Sequence, residues 1–113
     1  MKVPDTRVES PSAFFAALGD PMRLRIVMRL SRGEPLNITE LAEGAKMTRQ
    51  AVAKHLHVLA VAGVATASRS GREQRWSLDQ EQLAQARQFL DRIAQQWQGA
   101  LGRLKAFVEE PDS

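Results

Sequence analysis

The side chains in this sequence that could do chemistry are cations and amides spaced along one helical face. Gln50, Lys54 and His57 recur at steps of four and three, with Ala53 among them and Thr48 and Arg49 just ahead. At 100° per residue Gln50, Ala53, Lys54 and His57 share one side of a helix, while Val52, Leu56 and Leu59 share the opposite side. Arg49 stands at the N-terminal end, where such a helix comes closest to a groove. Amide, ammonium and guanidinium groups in this arrangement recognise rather than break bonds. They donate to phosphate oxygens and to base edges in a major groove about 12 Å wide. Farther along, Arg69, Arg72 and Arg75 surround Gly71. Arginines on a thin hairpin suit phosphates or a narrow minor groove. By strand alternation Arg69 and Arg75 need not face the same way.

Groups for catalysis are not assembled in the sequence. There is no cysteine, which removes disulfides, thiolate zinc sites, cysteine nucleophiles and thiol redox sensing, and fits a reducing compartment. His55 and His57 stand two apart on a helix and cannot hold one metal ion from the same face. His55 falls at the edge of the apolar side and reads as a packed, hydrogen-bonded residue. Trp76 has no neighbouring aromatics for a base-stacking platform and reads as packing the hairpin onto the body. No nucleophile has a nearby base, no carboxylates pair in a recognisable setting, and no glycine-rich phosphate loop occurs. The chain is therefore expected not to be an enzyme and to need no cofactor or metal.

Charge points the same way. The chain of 113 residues carries a net +3 with 43% hydrophobic and 26% charged residues, an ordinary globular composition for one domain. The charge is unevenly placed. Residues 45–78 hold six bases (Lys46, Arg49, Lys54, Arg69, Arg72, Arg75) against the single acid Glu73, a net +5. Residues 1–44 balance, and residues 79–113 are net −2. One central cationic segment is the footprint of a surface facing a polyanion. No apolar run approaches the roughly 18 residues of a spanning helix. The N-terminal residues Lys2, Asp5, Arg7 and Glu9 leave no room for a secretory signal. A cytoplasmic, nucleoid-associated protein is expected.

The elements that must position these groups follow from caps and periodicity. Residues 1–11 read as a loose N-terminal arm or a short extra helix. Ser12 caps a first helix that Gly19 ends in a left-handed conformation, and Asp20-Pro21 opens a second. Leu36-Asn37-Ile38 is long enough only for an edge strand or a turn. Asn37 with Glu40 is a capping pair for a short helix. Ala45-Lys46-Met47 is a turn, and Thr48 caps a helix that Gly63 stops. Val64 to Ser70 and Gln74 to Leu78 flank a glycine-tipped hairpin. Asp79 starts a last helix, with Gln82 as its capping partner. The fold class is thus mainly α with a small β-hairpin wing: a winged helix-turn-helix domain over residues 12–78, then a long helix over residues 79–110.

In that last helix Leu83, Ala86, Leu90, Ile93, Trp97, Ala100, Leu104 and Phe107 step by three and four, and Phe89, Leu101 and Val108 widen the stripe. A core this small cannot cover the stripe along its length, whereas a second copy can. Leu83, Leu90, Ile93, Trp97, Leu101 and Leu104 are therefore expected at a homodimer interface. Two subunits would set two recognition helices one turn of double-stranded DNA apart, about 34–36 Å, on a palindromic site. A small-molecule effector between the long helices near Trp97 and Phe89 is left open beside a plain dimer core.

Three stretches resemble the ArsR/SmtB family of bacterial winged-helix repressors. Phe15-Ala16-Ala17-Leu18-Gly19-Asp20-Pro21-Met22-Arg23-Leu24-Arg25-Ile26 is similar to the family's F-x-A-L-x-D-x-x-R-L-x-I opening. Glu40-Leu41-Ala42 with Gln50-Ala51-Val52-Ala53-Lys54-His55-Leu56-His57-Val58-Leu59 is similar to its E-L-A and S-x-V-S-x-H-L-x-x-L core. Ala62-Gly63-Val64 followed by Gly71-Arg72 is similar to its wing. The resemblance covers residues 13–78 and implies a homodimeric DNA-binding repressor whose effector loosens its grip on an operator. It implies major-groove contacts at Thr48, Arg49, Gln50, Lys54 and His57 and wing contacts at Arg69 and Arg72, with Arg25 structural. The chain departs from the family's metal sensors. Leu36-Asn37-Ile38-Thr39-Glu40 stands where some relatives carry a Cys-x-Cys. The last helix has Asp79, Glu81 and Asp91 but no histidine. Lys46 occupies a turn position where glycine is common. The rival class is a protein-interaction winged helix without operator binding. A strongly acidic recognition face would favour it, and this one is basic.

Overall fold

The computed structural model describes residues 10–109. Most of the arm expected over residues 1–11 lies outside that range. The elements run α1 (Pro11–Leu18), α2 (Pro21–Leu30), α3 (Ile38–Ala45), α4 (Arg49–Val61), β1 (Ala65–Ser70), β2 (Glu73–Leu78) and α5 (Gln80–Glu109). This is the expected mainly α architecture with a two-stranded wing.

Helix starts follow local capping chemistry, with two corrections. The α1 cap is Ser10, not Ser12: its hydroxyl accepts from the Ala13 N–H at 3.2 Å. Pro11 then takes the first helical position, where its missing N–H costs nothing. Gly19 does not turn left-handed but stays at φ −75°. The α1 carbonyls are satisfied instead by Arg23, whose Nε donates to the Ala17 carbonyl at 2.7 Å, and by the Gly19 N–H on the Ala16 carbonyl at 3.0 Å. That leaves Asp20 free to cap α2 directly. Asn37 and Glu40 form the expected capping box on α3. Thr48 caps α4. The Asp79 carboxylate accepts from the Gln82 N–H at 3.1 Å at the start of α5.

Phe14, Ile26, Leu41, Val52, Leu56, Leu59 and Val64 form the fully buried centre, drawn from α1 to α4 and the approach to β1. Burying each such side chain contributes roughly 1.5–3 kcal/mol, which holds a helical core together without disulfides. The hairpin pairs antiparallel, with Ala67 opposite Trp76 and Arg69 opposite Gln74. Leu36 adds a one-residue third strand: its N–H donates to the Trp76 carbonyl at 3.0 Å and its carbonyl accepts from the Trp76 N–H at 2.8 Å.

α5 is continuous through Gly99 and Gly102, about 45 Å of helix. Among the described residues only its first turns touch the body. Ala86 is buried, Leu83 packs against the core, and the Phe89 ring lies 6.0 Å from that of Phe15. Leu83 thus serves its own subunit first. Beyond Phe89 the apolar stripe stands in solvent, with Leu90, Ile93, Trp97, Leu101, Leu104 and Phe107 all exposed. Among the described helices none is long and apolar enough to cross a membrane.

Candidate nucleic-acid interface

α4 is aimed by its two ends and its buried side. Lys46 closes α3 in the left-handed region at φ 55°. A non-glycine residue adopts that conformation at a cost, tolerated here because it sets the sharp turn between α3 and α4. Two residues later the Thr48 hydroxyl accepts from the Ala51 N–H at 3.1 Å and fixes the first turn of α4. Val52, Leu56 and Leu59 are wholly buried, which locks the rotation of the helix. Gly63, at φ +84°, releases the chain into the wing.

That rotation turns Arg49, Gln50, Lys54 and His57 outward together. All four are exposed, Ala53 is exposed among them, and none has a hydrogen-bond or ion-pair partner among the described residues. Thr48 is exposed at the leading edge but already engaged as a cap. His57 also borders a shallow apolar hollow between α1 and α4 with Val58 and Val61. His55 behaves differently, as its position on the helix predicts. It is half-buried as expected, but its Nδ1 lies 3.9 Å from an Asp20 carboxylate oxygen, too far for the hydrogen bond also expected of it. Asp20 meanwhile accepts from the backbone N–H groups of Arg23 and Met22, both at 3.0 Å. The Arg23 backbone N–H foremost, then the nearby Arg23 guanidinium, His55 ring and Met22 backbone N–H, hold the Asp20 carboxyl below the usual carboxylate range against a partial desolvation.

The wing divides its arginines. Gly71 at φ +66° and Arg72 make a two-residue turn with positive φ at the first position only, the type II′ pattern suited to a twisted hairpin. Arg69 and Arg72 are exposed and unpartnered among the described residues. Arg75 is not available. Its guanidinium pairs with Glu73 at 2.9 Å and Glu40 at 3.5 Å and donates to the Pro35 carbonyl at 3.0 Å. Glu73 also accepts from the Asn37 amide. The one acid of the cationic segment is thereby neutralised internally, and the outward charge left by Lys46, Arg49, Lys54, Arg69 and Arg72 is all positive. Trp76 packs against the core as expected, with its buried indole N–H unpartnered.

The mooring of the wing to the α3 cap is the feature the sequence did not reveal. The capping pair was legible, but Asn37 and Glu73 lie 36 residues apart, and no local spacing announces their contact. Arg25 also differs from expectation. It is exposed beside α3, and the structural role falls to Arg23. Among the described residues no three histidine or acidic side chains group as a metal site.

Similarity to known proteins agrees with this geometry. A helix-turn-helix domain model matches residues 18–66. The chain is 39% identical over 92 residues to the HTH-type transcriptional regulator Rv2034 of Mycobacterium tuberculosis, covering 81% of this chain and 82% of that protein. It is 34% identical over 83 residues to the "Probable mercury resistance operon repressor" of Streptomyces lividans, covering 74% of this chain but 66% of that protein. Among solved structures it matches an ArsR-like transcriptional regulator from Rhodococcus sp. RHA1 with a TM-score of 0.79 and 32% identity, over 89% of this chain and 94% of that one. The chain belongs to the ArsR/SmtB family of winged helix-turn-helix transcriptional regulators.

Proposed function

We propose that this regulator is a repressor that binds a palindromic operator as a homodimer in the cytoplasm, on the nucleoid. One observation carries the reading: Gln50, Lys54 and His57 project unpartnered among the described residues from the side of α4 opposite its buried face, with Arg49 exposed at the helix start. A helix offered to a major groove needs such a side, because base edges are read by side chains that have nothing else to bond. Thr48 and Arg49 meet the groove first, Gln50 and Lys54 read and steady the centre, and His57 meets the far strand. Arg69 and Arg72 reach phosphates flanking the groove.

The α5 stripe supports the doubling. Leu90, Ile93, Trp97, Leu101 and Leu104 are all exposed along one stripe, and large apolar side chains grouped in this way mark an interaction surface. A second α5 covers it, with Leu83 at the margin, and the pairing spaces two α4 helices for successive major grooves. The family's work is transcription control, and we assign no catalysis, metal or cofactor to the chain.

The direct test is to incubate the purified protein with fragmented genomic DNA and sequence what it retains. The reading requires an enriched motif with two-fold symmetry. Arg49→Ala and Gln50→Ala should blur that motif, while Arg72→Ala should weaken all sequences alike. Retained fragments without a common motif, or an unchanged motif in both helix variants, would refute the assignment.

A further inference from the structure

The solvent side of α2 has no role in the reading above, yet it is built like a binding surface. α2 buries Ile26, Val27 and Leu30. Its other side, turned away from the core it shares with α4, faces an open groove of about 710 Å³ against α3. Leu24 and Met28, one turn apart, line this groove while 43% and 61% exposed. Arg25, Arg29 and Arg32 run beside them at i, i+4 and i+7. None of the three has an ion-pair or hydrogen-bond partner among the described residues. The far wall is α3 at Leu41 and Gly44. A Cβ at Gly44 would meet Nη1 of Arg29 and push that flexible guanidinium aside. Its absence lets the guanidinium lie across α3.

We propose that the α2–α3 groove docks an acidic amphipathic helix of a partner protein. Charge complementarity selects the sign, since the three free arginines line an apolar floor. The distribution of that charge selects the shape. Arg25 and Arg29 stand one turn apart, about 6 Å along α2 at about 1.5 Å per residue, and Arg32 follows in the turn past its C-cap, so the charge is strung along the groove rather than gathered around one anionic headgroup. A helix carrying acids at the same three-to-four repeat can pair with each, with its apolar residues on Leu24 and Met28. Openness argues similarly: a small ligand would leave much of its surface wet, whereas small-molecule sites bury about 70–90% of their ligand. Such a partner would grip the regulator without covering α4, the wing or the α5 stripe.

The probe is a labelled three-turn peptide with leucines at helical spacing flanked by glutamates, titrated into the full chain by fluorescence anisotropy. Operator affinity is measured on the same samples, so that failure of DNA reading and failure of the groove are read separately. The wild type should bind this peptide and not its lysine-flanked isomer. The Arg25→Glu/Arg32→Glu variant should lose about tenfold or more, as opposed charges meet unlike partners. Gly44→Ala raises the helix propensity of α3, so it should weaken peptide binding with no fall in Tm. Equal binding of both peptides, or of wild type and the charge-reversed variant, overturns the proposal. So does a loss of operator affinity with a shallower salt slope and unchanged peptide binding, which would make the arginines phosphate contacts. Binding of decanoate alone, with neither peptide bound, would assign the groove to a small amphiphile and equally refute it.

Discussion

Replacing Arg72 by alanine should change the salt dependence of operator binding by a calculable amount. Arg49, Lys54, Arg69 and Arg72 are the exposed, unpartnered cations of α4 and the wing. Taking each as one neutralised phosphate, the proposed dimer makes about eight such contacts, so log K should fall with log salt at a slope near −7. Raising salt from about 50 to about 200 mM then weakens binding by about 20,000-fold. Arg72→Ala removes one contact per subunit, brings the slope to about −5.4 and cuts the loss to about 2,000-fold. Arg75→Ala is the internal control. Its charge is matched by Glu73 and Glu40, so the slope should stay near that of the wild type while the wing loosens. The assay is fluorescence anisotropy with a labelled operator fragment at five or so salt concentrations. Equal slopes for wild type and Arg72→Ala, or a larger change for Arg75→Ala, would show that the wing does not meet phosphates as argued.

Other expectations follow from burial, backbone and charge. Ile93→Asp with Trp97→Asp should yield monomers in sedimentation velocity, since both side chains stand in the exposed stripe; a persistent dimer would place the interface elsewhere. Leu56→Ala, at a wholly buried position, should cost about 2–5 kcal/mol in urea unfolding, and a loss well under that would mean the α3–α4 core collapses around the void. Gly63→Ala, at φ +84°, should cost about 1–2 kcal/mol from backbone strain alone, read from the same melts. Asp20 has a folded-state pKa lowered by its cap bonds, so its contribution is present above the unfolded carboxylate pKa and lost as pH falls through the folded one. Asp20→Asn should therefore flatten the acid limb of a Tm-against-pH curve, and an unaltered limb would count against the cap.

How much was legible in the sequence depended on the range of the interaction. Thr48, Asn37 with Glu40, and Asp79 with Gln82 announced helix starts because a cap bonds within three residues. Gln50, Ala53, Lys54 and His57 were legible as one face because the helix period alone places them, with Arg49 at the N-terminal end. The α1 boundary was misread at Ser12 because Ser10-Pro11 offered an equally good cap with proline already in place. Gly19 was misread because the tertiary contact from Arg23, not the glycine, satisfies the end of α1. The division of the wing arginines was half legible. Alternation separated Arg69 from Arg75, but only the fold brings Glu40, Glu73 and Pro35 around Arg75. Leu83 sat in phase with the free stripe, and nothing in its spacing said that the body would claim it.

The mooring of the wing bears on how such a regulator can be controlled. Leu36 and Trp76 exchange two backbone hydrogen bonds, Asn37 holds Glu73, and Arg75 joins the wing to both Glu40 and Pro35. On the other side the Asp79 N–H donates to the Val64 carbonyl at 3.0 Å. The wing base is therefore tied to the start of α3 and to the exit of α4, and the wing cannot swing as a whole against α4 without breaking several of these bonds at once. Among the described residues α5 has no comparable restraint past Phe89, where it leaves the body. In the proposed dimer the spacing of the two reading helices is then set by how the α5 helices cross. A small rotation there moves each α4 as a rigid lever and mismatches it to the next groove. Control of DNA affinity should accordingly act on the α5 pairing rather than on the wing.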